Sequence, residues 1–149
     1  MNDFHSAVAR LLASASPRRE RAKALAELIR DWAGFHWVGL YDVSPTHISA
    51  IAWTGDQSPA FPSFPVSQGI NGAAVAQRSP VIVQDVSQDH RYLTTFGATR
   101  AEAIFPVVAT DLTRVLGTID VESDTVNAFH RVHEAFLGEC ATLLKPLWE

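Results

Sequence analysis

The spacing of apolar side chains switches between helical and alternating periods along the chain, and the switches mark its elements. Phe4, Val8, Leu11 and Leu12 recur at helical spacing between Asp3 and about Ala15, which predicts a first helix. Ser16 and Pro17 read as the cap and first residue of a second helix, with Ala22, Leu25, Ile29 and Trp32 on its inner face and Gly34 as its stop. From Phe35 the period becomes two. Phe35 to Val43 and His47 to Thr54, split by Ser44-Pro45-Thr46, predict a β-hairpin. A loop rich in Pro, Ser and Gly leads to a short strand at Phe64 to Ser67. Gly69 to Ala76 reads as a glycine turn opening a small helix, which Pro80 ends before a strand from Val81 to Val86. Strands Glu102 to Ala109 and Val115 to Val121 flank the turn Asp111 to Arg114, and a helix from about Ala128 to Trp148 closes the chain.

Mainly sequential strands with segregated helices predict an α+β fold: an antiparallel sheet of about six strands, helices on one face, and the small helix and loops over the other. A pocket is expected between sheet and loops. Ser87 to about Arg100 follows no period, and loops of that length in compact domains serve as lids or binding segments. A length of 149 residues supports one domain, with residues 1–16 as a helical extension and 17–149 as its core.

Composition narrows the function. The net charge is -4, and the basic run Arg18, Arg19, Arg21 and Lys23 is interrupted by Glu20 on a helix, so it reads as a solvated face and argues against nucleic acid or anionic membrane as partners. No apolar run approaches a membrane span and no signal-peptide pattern opens the chain, so a cytoplasmic location is expected. The single cysteine, Cys140, rules out a disulfide or a dithiol within one chain, and it shares a helical face with Phe136, Leu143, Leu144 and Leu147 as an inert thiol. His130, His133 and Glu134 match neither zinc-protease order and read as a solvated helix face. No metal and no cofactor are expected.

Candidate chemistry concentrates on the last strand. Alternation puts Val115, Gly117, Ile119 and Val121 on one face and Leu116, Thr118, Asp120 and Glu122 on the other, while Glu102 opens the antiparallel neighbour. Three carboxylates beneath a loop repel one another unless a cation or a proton joins them, which points to a ligand bearing an ammonium group. The competing reading leaves Asp120 and Glu122 at a frayed, solvated strand end. Trp37 and Tyr41, four apart, either wall such a ligand or belong to the sheet core. The turn Gly69-Ile70-Asn71-Gly72 either cradles an anion or is shaped purely by its glycines; without an adjacent Lys or Arg it is not a phosphate loop.

Five blocks, Trp37 to Tyr41, Phe64 to Ala76, Gln84 to Val86, Ala101 to Val107 and Val115 to Ser123, together resemble a GAF domain, and more narrowly its free methionine-(R)-sulfoxide reductase branch. The resemblance covers nearly the whole chain from Pro17. It implies that Trp37 and Tyr41 enclose the methyl end of a sulfoxide and that Glu102, Asp120 and Glu122 hold the amino acid, with Glu122 replacing the usual aspartate. The three cysteine positions of the branch read Phe61, Asn71 and Thr95 here. Sulfoxide reduction needs a thiolate to attack sulfur and a second thiol to resolve the sulfenic acid. The resemblance therefore implies a non-catalytic, sensory ligand-binding domain in which Asn71 and Thr95 join the ligand site. Two alternatives stand beside it. One is an enzyme, free methionine-(R)-sulfoxide reductase-like or other, using the carboxylates as acid and base. The other is a module that forms a homodimer through terminal-helix surfaces carrying Leu11, Leu25, Phe136, Leu144 and Trp148. Cyclic-nucleotide and bilin binding find no matching signature around Asn127 and Phe129 or at Cys140.

Overall fold

The computed structural model describes residues 2–149. Its elements run α1 (Asn2–Ala13), α2 (Arg18–Ala33), β1 (Trp37–Val43), β2 (His47–Trp53), β3 (Ser63–Pro65), α3 (Gly69–Gln77), β4 (Val81–Val83), β5 (Ala101–Val108), β6 (Val115–Ser123) and α4 (Arg131–Leu143). The strands form one six-stranded sheet in the order β3-β2-β1-β6-β5-β4, and every neighbouring pair is antiparallel. This is the α+β architecture that the sequence predicts.

Alternation sorts the sheet's residues onto two faces. Val38, Leu40, Ala103, Phe105, Ile119 and Val121 pack on one face against Phe4 and Val8 of α1, Leu25 and Ile29 of α2, and Leu137 and Cys140 of α4. The N-terminal helix is thus part of the core, since Phe4 and Val8 are buried. On the other face Ile70 and Ala74 of α3 cover Val81, Val83 and Ile104. Arg18 fastens the start of α2 to the end of β1 through a bidentate pair with Asp42, at 2.9 and 2.7 Å.

Several local expectations shift. Ser16 caps nothing: Pro17 occupies the N-cap of α2 and makes no side-chain cap bond, while Gly34 closes the helix in the left-handed region as expected. Trp32 is 46% exposed and leaves the inner face of α2 to Ala22, Leu25, Ala26 and Ile29. β4 stops at Val83, because Gln84 turns to bond the backbone of Asn127 and Phe129. The last helix starts at Arg131 and gives way after Leu143 to a tight turn over Lys145–Leu147, where Pro146 has no N–H to continue the helical bonding. At the start of α4 the His130 N–H donates to His133 Nδ1 at 3.0 Å, and the His133 N–H returns to the His130 carbonyl. Leu25 and Leu144 are fully buried, which removes them from any dimer surface.

Candidate functional site

Strand register builds the site as rows across β1, β6 and β5. Trp37, Glu122 and Glu102 stand side by side in the first row, Gly39, Asp120 and Ile104 in the second, and Tyr41, Thr118 and Pro106 in the third. Directly paired residues of antiparallel strands project to the same face. The carboxylates therefore meet: one oxygen from each of Glu102, Asp120 and Glu122 lies within 4.8 Å of the others. Gly39 leaves the middle of β1 without a side chain. A Cβ there would come within 2.5 Å of the Trp37 ring and 3.0 Å of the Tyr41 ring, so both aromatics close over it.

Helix α3 and two loops cover these rows. Asn71 donates from Nδ2 to Asp120 Oδ2 at 3.2 Å and accepts from the Thr118 hydroxyl at 2.6 Å. From the 87–100 segment, the Thr99 hydroxyl donates to Glu122 Oε1 at 2.9 Å and the Tyr92 hydroxyl to the same oxygen at 3.4 Å. Phe96 meets Trp37 edge-on with ring centroids 5.3 Å apart. Ala60 N–H donates to the Thr95 carbonyl at 3.3 Å and joins the two loops over the site. Between them lies a cavity of about 10 Å³, lined by Tyr41, Phe61, Phe64, Asn71, Leu93, Thr95, Glu102 and Asp120 among others. That volume is about what one water needs.

The electrostatics are those of a buried acidic cluster. Glu102, Asp120 and Glu122 are 4%, 1% and 1% exposed, which overturns the reading of Asp120 and Glu122 as a solvated strand end. Burial pushes the Glu102 carboxyl well above its ordinary range, and the charges of Asp120 and Glu122 push it further. Asp120 is raised well above its range by burial and then by Glu122, against hydrogen bonds from Glu102 and Asn71. Burial lifts Glu122 to about 7, opposed by hydrogen bonds from Thr95, Thr99 and Tyr92. The Tyr41 phenol is held well above its usual range by burial and by the three carboxylates, so it stays protonated. Four buried polar atoms have no hydrogen-bond partner among the described residues: Trp37 Nε1, Glu102 Oε2, Asp120 Oδ1 and Glu122 Oε2. All four belong to the first two rows. Buried polar groups are normally paired, so these four stand out among the described residues.

All seven candidate residues converge on this face. Trp37 and Tyr41 pack with Ile48 and Phe64 in the sheet core and stand in the first and third rows beside the carboxylates. Phe61, Asn71 and Thr95 come together at the cavity. Cys140 lies in the helix-side core, its thiol pushed up to about 12 by burial. Gly39, Tyr92, Phe96 and Thr99 are additional contributors; the last three sit in the aperiodic segment, where no spacing rule could select them.

The GAF domain family matches residues 17–146 of the chain. GAF domain-containing protein A of Dictyostelium discoideum is 26% identical over 117 residues, 78% of this chain and 72% of that protein. Free methionine-R-sulfoxide reductase of Saccharomyces cerevisiae is 24% identical over 110 residues, 73% of this chain and 61% of that protein. The solved structure of type II free methionine-R-sulfoxide reductase from Thermoplasma acidophilum superposes with a TM-score of 0.80 at 27% identity, over 87% of this chain and 91% of that one.

Proposed function

The chain belongs to the GAF domain family, a small-molecule-binding or sensory fold, and on that premise we propose that it is a non-catalytic domain binding an amine-bearing metabolite, an amino acid or a methionine sulfoxide analogue. The observation that carries this reading is the set of unpartnered atoms. Three carboxylate oxygens suit an ammonium group, and the Trp37 indole N–H suits an acceptor on the same ligand. The aromatic rings of Trp37 and Tyr41 border the site with apolar surface. Similarity to proteins named as methionine sulfoxide reductases supports the ligand class. Reduction by a thiol is not part of the proposal, because the single cysteine lies on the other face of the sheet.

Entry of a molecule as large as an amino acid requires the 87–100 segment to move, since the cavity is about 10 Å³. A thermal-shift and calorimetry screen of methionine-(R)-sulfoxide, its epimer, free amino acids and simple amines tests the reading. Selective binding that Glu102→Gln and Asp120→Asn abolish is the expected outcome; binding left intact in both variants refutes the site. A second reading, acid–base catalysis, draws on Glu122 lying at about 7, near the value that suits proton transfer at neutral pH. It requires turnover that disappears with Glu122→Gln. The homodimer proposal shifts to Trp32 and Val132, exposed at 46% and 70% beside one groove between α2 and α4; light scattering across a concentration series tests it.

A further inference from the structure

We propose that the groove between the β1–β2 turn, α3 and the β5–β6 turn is a binding site for a small carboxylate with an apolar tail, of the medium-chain fatty acid kind. The groove shares no lining residue with the cavity over the carboxylate cluster, and the inference does not depend on the amine reading.

The floor is aliphatic and held in place from within. Val43, Pro45, Val66, Val75 and Val115 line a groove of about 280 Å³. That volume lies at the small end of the roughly 300–1,000 Å³ typical of ligand pockets, which suits a short, slender molecule. On their inner side Val43, Val66 and Val75 pack against the cluster of Tyr41, Ile48 and Phe64, and Val115 is itself buried.

The rim supplies positive charge. Arg78 and Arg114 border the groove, and neither an Asp nor a Glu lines it. Arg78 ends α3 at φ 55, in the left-handed region that residues other than glycine rarely adopt. Its side chain crosses to the β5–β6 turn, where Nη1 donates to the Leu112 carbonyl at 3.1 Å and Nη2 to the Thr113 carbonyl at 3.0 Å. These bonds fix the guanidinium and leave its remaining N–H donors for an anion. Arg114 follows Thr113 directly, which brings a second cation to the same rim. Among the described residues Arg114 makes no ion pair. The acids of the neighbouring segments are engaged elsewhere: Asp42 with Arg18, Asp111 with Thr113, and Glu149 with Thr110.

Charge complementarity therefore selects the occupant. In a chain of net charge -4, two arginines without an acid between them favour an anion. A carboxylate matches the planar fork of a guanidinium. An alkyl tail on that carboxylate covers the valines. A neutral amphiphile gains only the second contact and inorganic phosphate only the first.

The test titrates sodium octanoate into the isotope-labelled chain and follows backbone amides by NMR. We expect saturable shifts clustered at 43–45, 66, 75–78 and 114–115. A dissociation constant on the order of 1 mM suits about ten non-hydrogen atoms in an open groove. Arg114→Gln should weaken binding by about tenfold, and Val75→Thr should weaken it less; circular dichroism confirms that both variants fold. Added salt should also weaken it, because the rim charges are exposed. Octanol and inorganic phosphate should each bind at least about tenfold more weakly than octanoate. Octylamine, which keeps the tail and reverses the charge, should leave the groove residues unshifted. No saturation by about 10 mM octanoate overturns the proposal, since that is well above the expected constant. Octanol, phosphate or octylamine acting on the groove as strongly as octanoate overturns it too, as does unchanged affinity in Arg114→Gln.

Discussion

Glu122→Gln removes a buried charge while keeping the side chain's length, so it measures what the carboxylate cluster does to the fold. Burial holds Glu122 at about 7, against an ordinary 4.5. A raised value means that the native protein keeps its proton more firmly than the unfolded chain does. The group therefore costs nothing at a pH below about 4.5, costs progressively more as pH rises to about 7, and costs its full amount above that. At about 1.4 kcal/mol per pH unit, the full cost is about 3 kcal/mol. The amide imitates the protonated acid. Its advantage over the wild type should thus be near zero at about pH 4.5 and grow to about 3 kcal/mol by about pH 8, roughly 6–12 °C in Tm for a chain of this size. Glu102 and Asp120, also raised by burial, add losses of the same sign. Urea unfolding of both proteins at intervals across that range, without divalent metal or amine, is the assay. A stability difference between the two that does not change with pH refutes the reasoning.

Three further outcomes follow from the packing. Gly117→Ala would drive a Cβ into Trp148 Nε1 and the Tyr41 carbonyl, well inside contact distance of both, and split the 3.2 Å hydrogen bond between them; it should cost about 1–3 kcal/mol, and an unchanged urea midpoint counts against it. Cys140, with its thiol pushed up to about 12, should resist a thiol reagent in the folded protein and react fully in denaturant. Thr99→Val removes a 2.9 Å hydrogen bond that favours ionised Glu122. Carboxyl NMR should then show Glu122 titrating at higher pH, with the stability loss larger at alkaline than at acidic pH; a lowered titration point contradicts this.

The fold was largely legible because its signals are local. The change of period after Gly34 and the left-handed stop at Gly34 depend on a few neighbouring residues; the helix ends where the pattern puts it, and the strand follows at Trp37, two residues after Phe35. Errors arose where a distant partner decides. Ser16 has the chemistry of a cap, but its carbonyl and hydroxyl engage Arg21 and Ser14 instead. Gln84 looks like strand and leaves the ladder because the loop before α4 needs its amide. Likewise, Tyr92 and Thr99 gain their roles only once the 87–100 segment folds onto Glu122.

The meeting of the carboxylates turns on a single residue. Beside the β5–β6 turn, Ala109 N–H bonds the Arg114 carbonyl and Val108 pairs with Val115. Continuing that register outward would set Glu102 opposite Val121, whose side chain lies in the helix-side core. Instead the pairing steps from Val108 with Val115 to Val107 with Gly117, leaving Leu116 as an extra residue in β6. A one-residue shift exchanges the faces of everything beyond it. Glu102 thereby comes opposite Glu122 and joins the site instead of facing the helices. Alternation within β6 put Asp120 and Glu122 on one face, but no pattern in the sequence announces the bulge that brings Glu102 to them. A buried carboxylate on the apolar helix side would have neither Asn71 nor the loop hydroxyls nearby, so the bulge is as much a part of the site as the carboxylates it aligns.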